Sequence, residues 1–285
     1  MPHNIDYMID TLAIVGVGLL GGSIALAARE RQLARRIIGI TRQQQTLDIA
    51  LQRGMIDEGY QQITDALRPA SLTIICTPVD QIASLAQQLL DQFPEMTVSD
   101  VGSTKANIVN AVDHHPSLAR RFLGGHPLAG SEKSGPEHAV ASLFQDKLMF
   151  LTPSETSSSG VQATLTQFWE GLGSKVVSMT AEEHDTIMAL TSHLPNLASC
   201  ALAGAIPDEY LQYSGTGLRS MTRLAGGDPE MWRAIVQHNR EAILAGLQSL
   251  QARLHLFHHA VDSADSDQLL QLFHEGRRIH HALGS

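Results

Sequence analysis

Residues 12–28 read LAIVGVGLLGGSIALAA, and the fold of this chain turns on how that run is read. It carries no charge, so a secretory leader or a membrane span is one reading. Asp6 and Asp10 precede it, whereas a leader needs basic residues there. The run is also short for a span, and Gly16, Gly18, Gly21 and Gly22 interrupt it. The better reading is a buried strand (LAIV, 12–15), a turn (GVGLLG, 16–21) and the first helix. In that setting Gly16 permits the tight turn, Gly18 lets a pyrophosphate approach the backbone, and Gly21 lets the helix lie close to the strand. The first-turn N–H groups, from Leu19 and Leu20 onward, then point at the phosphates with the helix dipole behind them. The pattern predicts a dinucleotide site; a glycine-rich turn serving packing alone is the plain alternative.

Working outward, RIIGI, LTIIC, MTVSD, RFLGG, KLMFLT and KVVSM read as further strands. Helical stretches such as QTLDIALQRG and DQIASLAQQLLDQ separate the earlier ones. Such alternation predicts an α/β fold: a Rossmann-type, doubly wound, mainly parallel sheet with helices on both faces. Beyond residue 180 no strand pattern is found. EEHDTIMALTSHLPNLASCALAGAI reads as a helix interrupted near Pro195, and a long helical pattern runs from Pro229 towards His259. Leu247, Leu250, Leu254 and Phe257 form one apolar stripe on it, which predicts packing against a second copy of the chain. The expected division is a dinucleotide-binding domain over 1–180 and an all-helical substrate and dimerisation domain over 181–285.

The formal net charge of −9 argues against a nucleic-acid partner or an anionic membrane, which need a basic footprint. Two cysteines, Cys76 and Cys200, fit no zinc or redox spacing and suggest a reducing, cytoplasmic setting. His255 and His259 lie four residues apart but lack an acidic or cysteine partner at a suitable offset, so no metal site is predicted.

About twenty residues after the glycine loop an NAD enzyme usually carries an acid for the ribose 2′-hydroxyl. Thr41 stands there and Arg42 follows, a hydroxyl and a guanidinium suited to a 2′-phosphate. NADP is therefore the expected cofactor, with NAD possible if Arg42 is merely a solvated surface residue. Thr77 and Pro78, at the end of a buried strand, are expected to shape the cofactor wall.

GGHPLAGSEKSG at 124–135 follows another strand and holds one histidine, His126, in a loop whose glycines are expected to let it approach a ligand. An imidazole there suits a general base at neutral pH. Ser103, in SDVGSTK, is expected on the same edge; helix capping by Ser103 or Thr104 is the alternative.

GVGLLGGS, CTPVD, DVGSTK, GGHPLAGSEKSG, EEHD, TSHLPN and TRLAGGDPEMWR occur in this order. Together they resemble the prephenate/arogenate dehydrogenase family of tyrosine biosynthesis. The resemblance implies a Rossmann-type domain followed by a helical dimerisation domain, and oxidative decarboxylation of a cyclohexadienyl substrate. It implies that His126 takes the C4 hydroxyl proton, that Ser103 hydrogen-bonds near that hydroxyl, that His193 lines the substrate site and that Arg223 binds a substrate carboxylate. One departure stands out: where relatives often read FRDTTR this chain reads LRSMTR at 218–223, with Ser220 in place of the acid. By analogy with the family, NADP use and the single-function architecture lean towards arogenate over prephenate. A β-hydroxyacid or 6-phosphogluconate-type dehydrogenase would need a catalytic lysine beyond the first domain, and no lysine follows Lys175. A non-catalytic NADP-sensing protein would have no use for His126.

Overall fold

The computed structural model describes residues 8–130 and 133–284. Among them, strands β1 (Ile9–Val15), β2 (Ala34–Ile40), β3 (Glu58–Tyr60), β4 (Leu72–Ile75), β5 (Thr97–Asp100), β6 (Phe122–Pro127), β7 (Leu148–Thr152) and β8 (Lys175–Ser178) form one sheet. Its order is β3-β2-β1-β4-β5-β6-β7-β8. All neighbours pair in parallel except β6 and β7, which run antiparallel. The order reverses direction between β1 and β4, and in such sheets ligands bind at that point, beyond the carboxyl ends of the strands.

The helices follow the sheet on both faces. α1 (Leu19–Glu30), α2 (Gln44–Gln52) and α6 (Ser159–Gly171) cover one apolar layer. α3 (Val79–Gln92) and α4 (Ala106–Asp113) cover the other, with the short α5 (Pro116–Ala119) at its border. Leu12, Ala13 and Ile14 of β1 are fully buried, which is why this strand reads as an unbroken apolar run. Burying a leucine or isoleucine side chain contributes about 1.5–3 kcal/mol.

Past β8 the chain is helical: α7 (Ala181–Met188), α8 (Leu194–Gly204), α9 (Thr216–Met221), α10 (Pro229–His238), α11 (Arg240–Asp262) and α12 (Ser266–Ala282). Thr180 caps α7 reciprocally with Glu183. Between α7 and α8 runs a π-helical turn, Ala189–His193. Pro195 has no N–H for the Thr191 carbonyl four residues back, and a widened turn accommodates its ring. The helical pattern expected from Pro229 to His259 is two helices, broken at Asn239.

The chain divides into two compact units, one ending at Asn239 and one starting at Arg240. The second unit is the α11–α12 pair, joined by a turn in which Asp265 caps α12, and Phe257 of α11 meets Phe273 of α12 across 5.7 Å. Leu254 is 59% and Phe273 62% exposed. Among the described residues no helix is long and apolar enough to cross a membrane.

The histidine expected in a loop is in a strand. His126 is the fifth residue of β6 and pairs with Phe150 of β7. The preceding glycine serves packing, since a Cβ on Gly125 would meet Met149 Cε at 2.5 Å and the Asp100 carbonyl oxygen at 2.8 Å. Ser131 and Glu132 of the same motif lie outside the described residues.

Candidate active site

At the point where the strand order reverses, a cleft of about 460 Å³ opens over the ends of β1, β2 and β4. Gly16, Thr41, Arg42, Thr77 and Pro78 line it together with Gln61, Gln62 and Gln81. No aspartate or glutamate does so among the described residues. Gly16 has φ +97°, and a Cβ there would lie 2.5 Å from the Cys76 carbonyl oxygen. A Cβ on Gly21 would lie 2.1 Å from the Gly16 carbonyl oxygen, so helix and turn touch only through glycine. At Gly18 a Cβ would meet nothing within 4 Å: this N-cap faces open space and supplies no side chain to the helix N–H groups. Leu19 and Leu20 open α1, with Leu20 packed on the core. Thr77 Oγ1 is buried without a hydrogen-bond partner among the described residues. A bare helix N-terminus, a backbone surface free of side chains and an orphaned hydroxyl fit the pyrophosphate and ribose of a dinucleotide.

The ends of β5 and β6 hold the second part of the site. Asp100, the last residue of β5, and Lys105 are both fully buried and form an ion pair. Lys105 Nζ also donates to the Gly125 carbonyl at 2.8 Å, and Asp100 accepts from the Gly125 N–H at 3.1 Å and the Gly102 N–H at 2.8 Å. This strap fixes the strand immediately before His126. Thr104 and Ser103 do not cap α4. Its N-cap is Lys105, and the cap comes from across the fold: the Asp185 carboxylate accepts the N–H groups of Lys105 at 2.7 Å and Ala106 at 2.9 Å.

Asp185 has a further partner. Its Oδ1 lies 2.8 Å from His184 Nδ1, and His184 Nε2 lies 2.8 Å from His126 Nδ1. The protons in this chain follow from chemistry. The carboxylate accepts only, so His184 carries its proton on Nδ1. Burial holds His184 below the ordinary histidine value of 6.5 despite Asp185, which keeps Nε2 as a lone pair. His126 Nδ1 therefore donates, and the free lone pair of His126 is on Nε2. Burial first, then the electrostatic influence of His184, Lys105 and His193, hold His126 well below 6.5. The arrangement is a neutral base whose cationic form, once it takes a proton, leans through His184 on a buried carboxylate. The logic is that of an aspartate orienting a catalytic histidine, lengthened by one ring.

His193 ends the π-helical turn and is 1% exposed. Its Nδ1 lies 3.1 Å from Asn239 Nδ2, and the edge of Trp232 stands across its ring at 6.2 Å. Arg223 opens a short turn, Arg223–Gly226, that is pinned to α8: Asn196 donates to the Leu224 carbonyl at 2.7 Å and Ser199 Oγ accepts from the Ala225 N–H at 3.1 Å. The Arg223 residue itself is exposed. Ser103 is half-buried in the loop after β5, and no hydrogen bond joins it to His126 among the described residues.

His184 and Asp185 were not singled out as site residues from the sequence. The signal was present: with Ala181 and Met188 they occupy the inward stripe of α7, and all four are buried. Two polar residues on an apolar stripe call for internal partners.

The buried histidines set an acid limit on stability. Burial takes His193 from 6.5 down to about 4, with Asp185 opposing and His184 adding. Below pH 6.5 the unfolded chain takes up a proton that the folded ring refuses. Stability is thus complete above pH 6.5 and is lost as pH falls towards 4, by up to about 3 kcal/mol from His193 alone. His126 and His184 act in the same direction. Urea unfolding at about pH 7 and about pH 5 should show this loss, and His193→Gln should flatten the slope. An unchanged slope in that variant would contradict the assignment.

Two family models match the chain. "Prephenate dehydrogenase, nucleotide-binding domain" covers residues 24–178, and "Prephenate dehydrogenase, dimerization domain" covers residues 180–275. A prephenate dehydrogenase of Bacillus subtilis is 32% identical over 276 residues, which are 94% of this chain and 74% of that protein. The structure of prephenate dehydrogenase from A. aeolicus in complex with hydroxyphenyl propionate and NAD+ superposes with a TM-score of 0.88 at 30% identity, covering 96% of this chain and 98% of that one. Synechocystis arogenate dehydrogenase superposes with a TM-score of 0.81, also at 30% identity, covering 95% and 99%.

Proposed function

The chain belongs to the prephenate dehydrogenase family, and from that premise we propose that it oxidatively decarboxylates L-arogenate, prephenate or both, using NADP and giving tyrosine or 4-hydroxyphenylpyruvate. The observation that carries this reading is the His126–His184–Asp185 chain, which leaves the lone pair of His126 Nε2 free to act as a base. In the reaction, His126 Nε2 removes the proton from the C4 hydroxyl of the ring. His184 stays hydrogen-bonded to His126 Nδ1, and Asp185 holds His184 through Nδ1, so the new positive charge is stabilised without a large rearrangement. NADP, when bound along Gly16, Gly18, Leu19, Leu20, Gly21, Thr41, Arg42, Thr77 and Pro78, supplies the acceptor for the C4 hydride. Arg223 binds a substrate carboxylate, His193 donates to a substrate oxygen, and Ser103 hydrogen-bonds the reacting hydroxyl. Loss of the C1 carboxylate as carbon dioxide leaves its bonding electrons in the ring, which becomes aromatic as a phenolate, and the proton held on His126 Nε2 returns to that oxygen to give the phenol. The protein then has mainly to orient the partners and take one proton.

Two observations support NADP over NAD: Thr41 and Arg42 line the cleft, and no carboxylate there would repel a 2′-phosphate. A homodimer through the C-terminal helices is supported by the dimerisation-domain match and by the apolar side chains left exposed on α11 and α12. Two free cysteines accord with a cytoplasmic setting.

The test is a two-by-two rate assay: prephenate or L-arogenate, each with NAD or NADP, following nicotinamide reduction. Turnover is expected with NADP on at least one substrate. Repeated with Arg42→Ala, the assay should show KM for NADP raised roughly 10–100-fold and KM for NAD little changed. Silence in all four cells, from folded protein shown to bind NADP, would remove the enzyme assignment.

A further inference from the structure

Asn239 stands where α10 ends and α11 begins, and it is 5% exposed. Its backbone N–H bonds to the Ile235 carbonyl at 3.0 Å, but its side chain leaves its own helix. Nδ2 reaches the Asp185 backbone carbonyl at 2.7 Å and His193 Nδ1 at 3.1 Å. A carbonyl oxygen accepts only, so the amide atom facing it must be the nitrogen. Its two hydrogens then serve both neighbours, and His193 Nδ1 must present a lone pair. In a neutral imidazole the single ring proton consequently sits on Nε2. That atom is buried and has no hydrogen-bond partner among the described residues. A donor kept out of water and out of internal hydrogen bonds points to an acceptor that arrives with a ligand.

Taking His193 as a substrate-site residue, we infer that Asn239 is a positioning residue that locks His193 in the Nε2–H tautomer, so that the ring offers a neutral donor to an oxygen of the substrate. The same amide ties this donor to the backbone of Asp185, whose side chain holds the His184–His126 chain. One side chain therefore sets both the ring that binds substrate oxygen and the segment that orients the base. A neutral donor here also avoids burying a cation near His126, which must itself take up a proton. The fall of His193 to about 4 agrees with a ring that stays uncharged at neutral pH. If Asn239 were only a brace between helices, the tautomer of His193 would be indifferent to it.

The test uses the full chain with ring-15N-labelled histidine. The His193 signals are assigned by their disappearance in His193→Gln. In the wild-type protein at neutral pH, the spectrum should show the proton on Nε2 and none on Nδ1. A proton on Nδ1 overturns the lock, with no variant needed. Asn239→Asp, nearly isosteric, puts an acceptor opposite Nδ1 and should move a proton onto that atom. In steady-state kinetics the substrate KM should rise about tenfold while kcat changes less, as the loss of one oriented hydrogen bond predicts. Asn239→Ala should remove the tautomer preference and raise KM similarly; if it fails to fold, the aspartate variant carries the test. A folded variant that keeps the Nε2–H tautomer and the wild-type KM overturns the inference. Lack of activity towards prephenate and arogenate would strike the proposed reaction and leave the tautomer readable, so the two failures are distinct.

Discussion

His126→Asn should lower kcat roughly 10³-fold while NADP affinity stays within about twofold, because an amide cannot take the proton that a general base must take. The cleft proposed for the cofactor lies over β1, β2 and β4, whereas His126 is on β6, so the substitution spares the residues proposed to bind the cofactor. The wild-type pH profile provides a second check. As a base His126 works only as the neutral ring, and burial, with His184, Lys105 and His193 adding, holds it well below 6.5. The acid limb of kcat/KM should therefore lie below pH 6.5, and the residual activity of His126→Asn should lack it. Near-normal turnover in the variant, or an acid limb above 6.5 in the wild type, would reject His126 as the base.

Asp185→Asn should be almost as damaging, with kcat down about 10²–10³-fold, although the side chain is one ring removed from His126. Asp185 accepts three donors: the Lys105 and Ala106 N–H groups and His184 Nδ1. An amide has one acceptor atom where the carboxylate has two. Either Ala106 loses its acceptor, or the amide N–H faces His184 Nδ1 and reverses that ring, which leaves His126 Nδ1 without an acceptor. Either way a backbone N–H at the start of α4 loses its acceptor, Ala106 in the first case and Lys105 in the second, at about 1–3 kcal/mol, and the negative charge behind the His184–His126 chain is gone, which lowers kcat. His184→Gln separates the two effects, since it leaves the Asp185 cap on α4 in place. That variant should lose kcat with little change in Tm, while Asp185→Asn should lose both. Retention of normal kcat by both variants would mean that the chain of hydrogen bonds is structural only.

Much of the fold was legible because it is written locally. A parallel strand buried on both faces has to be apolar throughout, so LAIV, RIIGI and LTIIC declare themselves. The strand EGY at 58–60 did not, because three half-buried residues carry no periodicity; it exists as the edge partner of β2. His126 was found as a residue but misplaced as an element. Gly124, Gly125 and Pro127 look like loop residues, and their place in β6 depends on β7 and Asp100 lying so close that side chains are excluded. The break at Asn239 was missed because the polar run QHNRE, 237–241, contains neither proline nor glycine to mark it.

By itself the sequence determined the strand–turn–helix with its glycines, the mainly parallel sheet and the helical second half, and it singled out His126, Thr41 and Arg42 as candidates. These depend on composition and on spacing within a few residues, where periodicity and steric rules operate. Only the tertiary structure decided how distant side chains pair: His126 with His184, Asp185 with the start of α4, Lys105 with Asp100 and Gly125, and Asn239 with His193. The physical reason is that a buried polar group must find a partner, and its local sequence shows that one is needed without showing which. His126 and His184 are 58 residues apart, and the packing of α7 beside β6 and α4 sets their rings 2.8 Å from nitrogen to nitrogen.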